Sequence, residues 1–142
     1  MDLTPLTTFE VRPIGRVESP LTDLDLAPCQ ADEGAPEAWL VFDPRVLEGL
    51  RSLRPGDKVI LITWLDRARR DVLSVHPRGD ASRPEEGVFS TRSPHRPNPI
   101  GLHQVEITDI DGPRLQVRHL EAIDGTPIID VKPVLKADAG QR

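Results

Sequence analysis

Three prolines, at positions 94, 97 and 99, interrupt the run Gly87-Val-Phe-Ser-Thr-Arg-Ser-Pro-His-Arg-Pro-Asn-Pro-Ile-Gly101. This run constrains the chain more than any other feature. Each proline fixes its own φ, lacks an amide donor and drives the residue before it toward extended geometry. No regular helix and no central strand can pass through such a segment. What remains is a stiff irregular loop, bracketed by glycines, that carries Arg92, Arg96 and Asn98. A stiff loop loses little entropy when a ligand binds, and arginine forks suit carboxylates and other planar anions. The same residues would also serve a connector that only turns the chain. The loop alone does not choose between these uses.

Around this loop the chain reads as short elements joined by turns, with 15 prolines and 10 glycines in 142 residues. That length fits one domain, 1–142, with a core of its own. Phe9 to Val17 reads as a strand that Pro13 confines to an edge or a bulge. Ser19 to Pro36 has no steady period and reads as a long loop. Glu37 to Phe42 is a short apolar strand. Asp43-Pro44 opens a helix, an N-cap followed by a proline in the first turn. Val46, Leu47, Leu50 and Leu53 give that helix one apolar face, and Pro55-Gly56-Asp57 ends it. Lys58 to Leu65 is apolar on both faces, as a strand covered on both sides would be. Asp71 to His76 reads as a further strand. Ile100 to Ile110 alternates, with Leu102, Val105, Ile107 and Ile110 mostly inward, and meets the hairpin signal Asp111-Gly112. Leu115 to Leu120 returns with Leu115, Val117 and His119 on one face. Ile128, Ile129 and Val131 form a last strand before Pro133, and the polar tail from Lys136 to Arg142 reads as frayed. The expected fold is mainly β: a small closed or nearly closed barrel of about seven strands with one short helix.

Composition narrows the function classes. A formal charge of −5, from 18 basic and 23 acidic residues, argues against broad affinity for nucleic acid, which rests on phosphate neutralisation. A local basic face is compatible with the seven arginines against five acids between Trp64 and Arg96. Tyrosine is absent and aromatics are 4%, so a base-stacking platform is weakly supported. His76, His95, His103 and His119 lack metal-site spacing, and no metal is expected. No phosphate-cradling P-loop, no GxGxxG and no Gly-x-Ser-x-Gly elbow is present. The single Cys29 suits a reducing cytoplasm, the N-terminus reads as no signal peptide, and Val59 to Leu65 is too short to span a bilayer.

A second segment also carries chemistry: Leu120-Glu-Ala-Ile-Asp124-Gly-Thr-Pro-Ile-Ile-Asp130-Val-Lys-Pro133. Its Asp124-Gly125-Thr126-Pro127 turn offers a carboxylate, a hydroxyl and backbone amides, which can hold a ribose or an adenine edge. It can equally be a plain Asp-Gly turn.

Taken together, these segments resemble the YaeB/TsaA-like family, which includes the TrmO tRNA methyltransferases. The likeness runs from about Ile14 to Pro133. Its anchors are Pro13-Ile-Gly15 with Ser19-Pro20, Pro28-Cys29-Gln30, Trp64 to Arg67, Val75-His-Pro-Arg78, the proline run, and Asp124-Gly-Thr-Pro127 with Asp130-Val-Lys-Pro133. Members look like small β-barrels that bind S-adenosylmethionine without a Rossmann fold and pair as homodimers with the cofactor near the interface. Characterised relatives methylate N6 of threonylcarbamoyladenosine beside the tRNA anticodon.

Carried over, the resemblance implies cofactor contacts at Pro28, Cys29, Gln30, Asp66, Arg67, Arg92 and Leu102, and along Glu121, Ala122, Ile123 and Asp124. Ser93, Arg96, Asn98 and Thr126 would line or brace the pocket. Arg92 or Arg96 would pair with the cofactor carboxylate. His95, Asp124 and Glu121 are the candidate general bases. The chain departs from the family at Cys29, Glu121 and Val134, where arginine, aspartate and tyrosine are usual. These departures leave room for another nucleobase or small molecule as acceptor, or for cofactor binding without catalysis.

Overall fold

The computed structural model describes residues 7–21, 37–76 and 79–135. Pro28, Cys29 and Gln30, part of the Val75–Arg78 anchor and the polar tail lie outside the described residues. The strands are β1 (Gly15–Glu18), β2 (Ala38–Phe42), β3 (Lys58–Trp64), β4 (Ser74–Val75), β5 (Glu86–Gly87), β6 (Ile100–Asp111), β7 (Arg114–Arg118) and β8 (Pro127–Pro133). Six of them close an antiparallel barrel in the order β1-β2-β7-β6-β3-β8, with β8 pairing back onto β1, and β4 and β5 form a separate two-stranded ladder. Closure leaves no free sheet edge in the wall.

Alternation builds the interior. Val59, Leu61 and Thr63 of β3 are buried while Ile60, Ile62 and Trp64 face outward. Val17, Leu40, Phe42, Leu61, Val105, Ile107, Leu115, Val117 and Ile128 make the core, with Leu120 and Ala122 closing one end of it. Truncating a side chain such as Leu61 in this core costs about 2–5 kcal/mol. A bulge between Ile107 and Asp109 shifts the register of β6 against β7. It resets the alternation, so Ile107 and Ile110 both pack inward although they are three residues apart.

Several sequence expectations change. The first strand begins at Gly15, and 9–13 are exposed. Ile14 still donates to Ile128 O (2.7 Å) and accepts from Asp43 N (2.8 Å), but Pro13 has no donor to extend the ladder. The helix after Asp43 is a 3-10 helix, Pro44–Leu50, capped by Asp43 Oδ1 accepting from Arg45 N at 2.9 Å. In its tighter turn Val46, Leu50 and Leu53 pack on the core while Leu47 faces solvent. The strand expected over 71–76 is reduced to Ser74–Val75. His119 does not continue the inward face of β7. It is exposed with φ 71°, and this left-handed turn hands the inward position to Leu120, which is fully buried. Leu102 lies on the outer face, about half exposed.

Candidate functional site

Among the described residues, the register places the chemistry-bearing loops at one end of the barrel. Trp64 at the end of β3 pairs with Ile100 at the start of β6, and Thr63 pairs with both Gly101 and Ile128 near the start of β8. Arg16 of β1 pairs with Pro127, and Glu18 pairs with Trp39 of β2. Ala38 at the start of β2 pairs with Val117 near the end of β7. The 65–73 turn, the proline loop and the 119–126 turn therefore share this end with 19–21 and Glu37. The 3-10 helix and the β6–β7 hairpin occupy the other end.

The proline loop is held by hydrogen bonds directed inward on itself. Arg96 donates through Nε to Ser93 O (2.8 Å) and through Nη2 to Val88 O (2.8 Å) and Thr91 O. Its backbone N–H donates to Arg69 O at 3.1 Å. Arg96 is thus a brace that ties together three carbonyls of the loop, of which Val88 O also accepts from Thr91 N at 3.0 Å. Ser93 belongs to the same lattice: its N–H donates to Thr91 Oγ1 (3.1 Å), and its Oγ accepts from His95 N (3.3 Å). His95 Nδ1 accepts the Arg69 N–H at 2.9 Å. In the neutral ring that bond puts the remaining proton on Nε2, so His95 has no free basic nitrogen in this arrangement.

Arg92 differs from Arg96. It is exposed and has no hydrogen-bond or ion-pair partner among the described residues. Asn98 is exposed too, and its Oδ1 accepts from Arg70 Nη2 at 3.0 Å. Asp66 and Arg67 lie in an exposed turn where Ala68 N donates to Leu65 O at 3.0 Å.

The second segment closes the barrel mouth. Ala122, Ile123 and Thr126 are buried, so the first two offer a ligand only backbone groups. Thr126 Oγ1 donates to Ile123 O at 2.7 Å and fixes the turn. Asp124 is exposed at its tip, with Oδ1 accepting from Ser19 N at 3.0 Å. Its own N–H donates to Leu21 O, and Gly125 N to Val17 O at 2.7 Å. The acidic turn therefore anchors the start of the 19–36 stretch. Glu121 is half-buried, with Oε2 enclosed. An open groove of about 450 Å³ beside the turn is lined by Arg16, Glu18, Ser19, Glu37, Trp39 and Asp124, among others. That volume suits a small organic ligand.

Three residues of this end escaped sequence reasoning. Thr63 is fully buried and shares a 2.9 Å hydrogen bond with His103 Nε2. Burial, aided by the Arg92 charge, lowers the His103 pKa from 6.5 to about 4, so the ring is neutral at pH 7. Its place in the inward phase Gly101-His103-Val105 was a legible signal. Arg70 was hidden within a run of arginines that reads as solvated surface. Among the described residues no group of histidine, cysteine and carboxylates could hold a metal ion. No helix of the described chain is long and apolar enough to cross a membrane.

Comparison with known proteins shows the family and the fold. Residues 16–139 match the sequence profile of the tRNA-methyltransferase O N-terminal domain. The chain is 42% identical over 122 residues to an S-adenosyl-L-methionine-binding protein of Archaeoglobus fulgidus, covering 86% of each chain. It is 42% identical over 125 residues to a probable S-adenosyl-L-methionine-binding protein of Methanothermobacter thermautotrophicus, covering 88% of this chain and 89% of that one. A second Archaeoglobus fulgidus relative, also a probable S-adenosyl-L-methionine-binding protein, is 42% identical over 124 residues; the match takes in 87% of this chain but only 33% of that longer protein. The crystal structure of TrmO from Pseudomonas aeruginosa superimposes with a TM-score of 0.70 at 28% identity, over 96% of this chain and 60% of that one.

Proposed function

Because the chain belongs to the family of the tRNA-methyltransferase O N-terminal domain, we propose that it binds S-adenosylmethionine at the loop-bearing end of the barrel and transfers its methyl group. The acceptor in this reading is N6 of threonylcarbamoyladenosine next to the tRNA anticodon. One observation carries it: the barrel register gathers the stiff proline loop and the acidic Asp124 turn, far apart in sequence, at a single end. The donors there fit the cofactor. Arg92 has an uncommitted guanidinium for a carboxylate, and Asp124 has an exposed carboxylate for an ammonium or a ribose hydroxyl. Backbone groups around Leu102 and Ile123 suit an adenine edge.

Bound S-adenosylmethionine supplies a methyl group on a cationic sulfur that leaves as a neutral thioether. The residues therefore need chiefly to orient the acceptor nitrogen in line and to exclude water, and alignment of that kind can contribute roughly 7–11 kcal/mol. The proton lost by the nitrogen passes to a carboxylate in this reading. His95 is tied to Arg69 N, which leaves Asp124 and Glu121 as the candidates. We further propose a cytoplasmic homodimer. Ile62 pairs with Leu102 and Trp64 with Ile100, and these outward side chains form an apolar strip beside the proline loop, with Ile100 and Leu102 about half exposed.

The test is a methylation assay with labelled cofactor and threonylcarbamoylated tRNA. Label in the tRNA supports the reading, and its absence with a protein that binds the cofactor rejects the acceptor. The groove favours a second reading, since Glu18, Glu37 and Asp124 line it and carboxylates repel phosphate. Under that reading the acceptor is a small molecule or a free nucleobase, and label from the same assay run on a metabolite extract would identify it.

A further inference from the structure

Arg70 makes contacts that fix a neighbouring side chain as well as its own. Its Cζ stacks 5.2 Å from the centre of the Trp64 ring. Its Nε donates to Pro97 O at 2.7 Å, and its Nη2 donates to Asn98 Oδ1 at 3.0 Å. A guanidinium has donors only. Asn98 must therefore give Arg70 its oxygen, and the amide cannot be flipped without facing donor to donor. The consequence falls on the other half of that amide. The Asn98 NH2 group points away from Arg70 on an exposed side chain and has no partner among the described residues. The prolines on either side of Asn98 hold its backbone in place.

We propose that Arg70 is a positioning residue that locks Asn98 as a donor-only contact for an anionic oxygen. This inference rests on the cofactor reading above, in which that oxygen belongs to the α-carboxylate of S-adenosylmethionine. The Trp64 ring sets the plane of the guanidinium, the guanidinium sets the amide, and the amide reads the ligand.

Asn98→Asp tests it. Aspartate keeps an oxygen toward Arg70 and strengthens that bond by charge, so the loop lock survives. The group facing the ligand changes from a donor to an anionic acceptor. Calorimetric titration of the full chain with S-adenosylmethionine and with its decarboxylated analogue separates the outcomes. The expected result is a loss of S-adenosylmethionine affinity on the order of tenfold to a hundredfold, the range of a charge-assisted hydrogen bond. Affinity for the decarboxylated analogue should hold or rise, and the thermal midpoint should be unchanged. Arg70→Ala, which frees the amide to rotate, should also lower the preference for the carboxylated ligand. Equal losses for both ligands in Asn98→Asp, or no loss, would overturn the assignment. A parent protein that binds neither ligand would overturn the cofactor reading itself, and this one with it.

Discussion

Single side chains at this site divide into those that hold the loop and those left free for a ligand, and the two groups should respond differently to mutation. Arg92→Ala removes an exposed guanidinium without a partner among the described residues. It should weaken S-adenosylmethionine binding on the order of tenfold in calorimetry while leaving the urea midpoint in place. Arg96→Lys should do the reverse. A single ammonium cannot span the carbonyls of Val88, Thr91 and Ser93. Val88 O keeps its bond from Thr91 N, but leaving a carbonyl such as Thr91 O or Ser93 O unmet costs about 1–3 kcal/mol, readable in urea unfolding. Sequence alone left the carboxylate partner open between Arg92 and Arg96, because nothing in a linear motif shows which guanidinium is already engaged. His103 adds a pH dependence. Its folded pKa of about 4 lies below its ordinary 6.5, so the unfolded chain takes up the proton first. Its contribution is complete above about pH 6.5, declines as pH falls, and is lost below about pH 4. His103→Gln should flatten that part of the curve when urea midpoints are compared from pH 7 downward.

At the level of elements, closely approaching strands decide where glycine is required. A Cβ at Gly15 in β1 would lie 2.6 Å from Val41 O and 3.0 Å from Phe42 Cα, both backbone atoms of the neighbouring strand. At Gly101 in β6 it would press on Thr63 Oγ1 and lie 2.8 Å from His103 Nε2, which are side-chain atoms. Gly49, in the 3-10 helix, has nothing within 4 Å. Thermal unfolding of the three alanine variants should therefore rank Gly15→Ala as the most destabilised, by about 3 kcal/mol, and Gly101→Ala next, by about 1–2 kcal/mol. Gly49→Ala should gain about 0.5 kcal/mol. The strand over Lys58–Trp64 and the Asp111-Gly112 hairpin were legible in the sequence, because an unbroken apolar run and turn chemistry are local signals. The strand was read as covered on both sides, however, and Ile60, Ile62 and Trp64 face outward on the barrel wall. The first strand was read too long, and so was the one before His76. A strand ends where its partner ends, and the partner is remote in sequence.

For the molecule as a whole, the closed barrel turns outward an apolar strip that its core does not use. Leu102→Asp places a charge in the middle of that strip, beside Ile62. If the strip is the dimer contact, sedimentation should show the parent as a dimer and this variant as a monomer with an unchanged circular dichroism spectrum. A parent that sediments as a monomer would remove the dimer from the proposed function.

The amino-acid order by itself determined the class of fold, through alternating apolar residues and frequent turns, and it determined the stiffness of the 87–101 loop, because proline restricts its own backbone wherever it stands. It also carried a family likeness over most of the chain. Only the tertiary structure decided that the proline loop and the Asp124 turn share one barrel end, that Arg96 is engaged by the carbonyls of Val88, Thr91 and Ser93, and that Arg70 donates to Asn98 Oδ1. Those outcomes depend on register between strands remote in sequence, as where Gly15 pairs with Ile128. Register is settled by closing the barrel around its core, a condition that no local stretch of sequence contains.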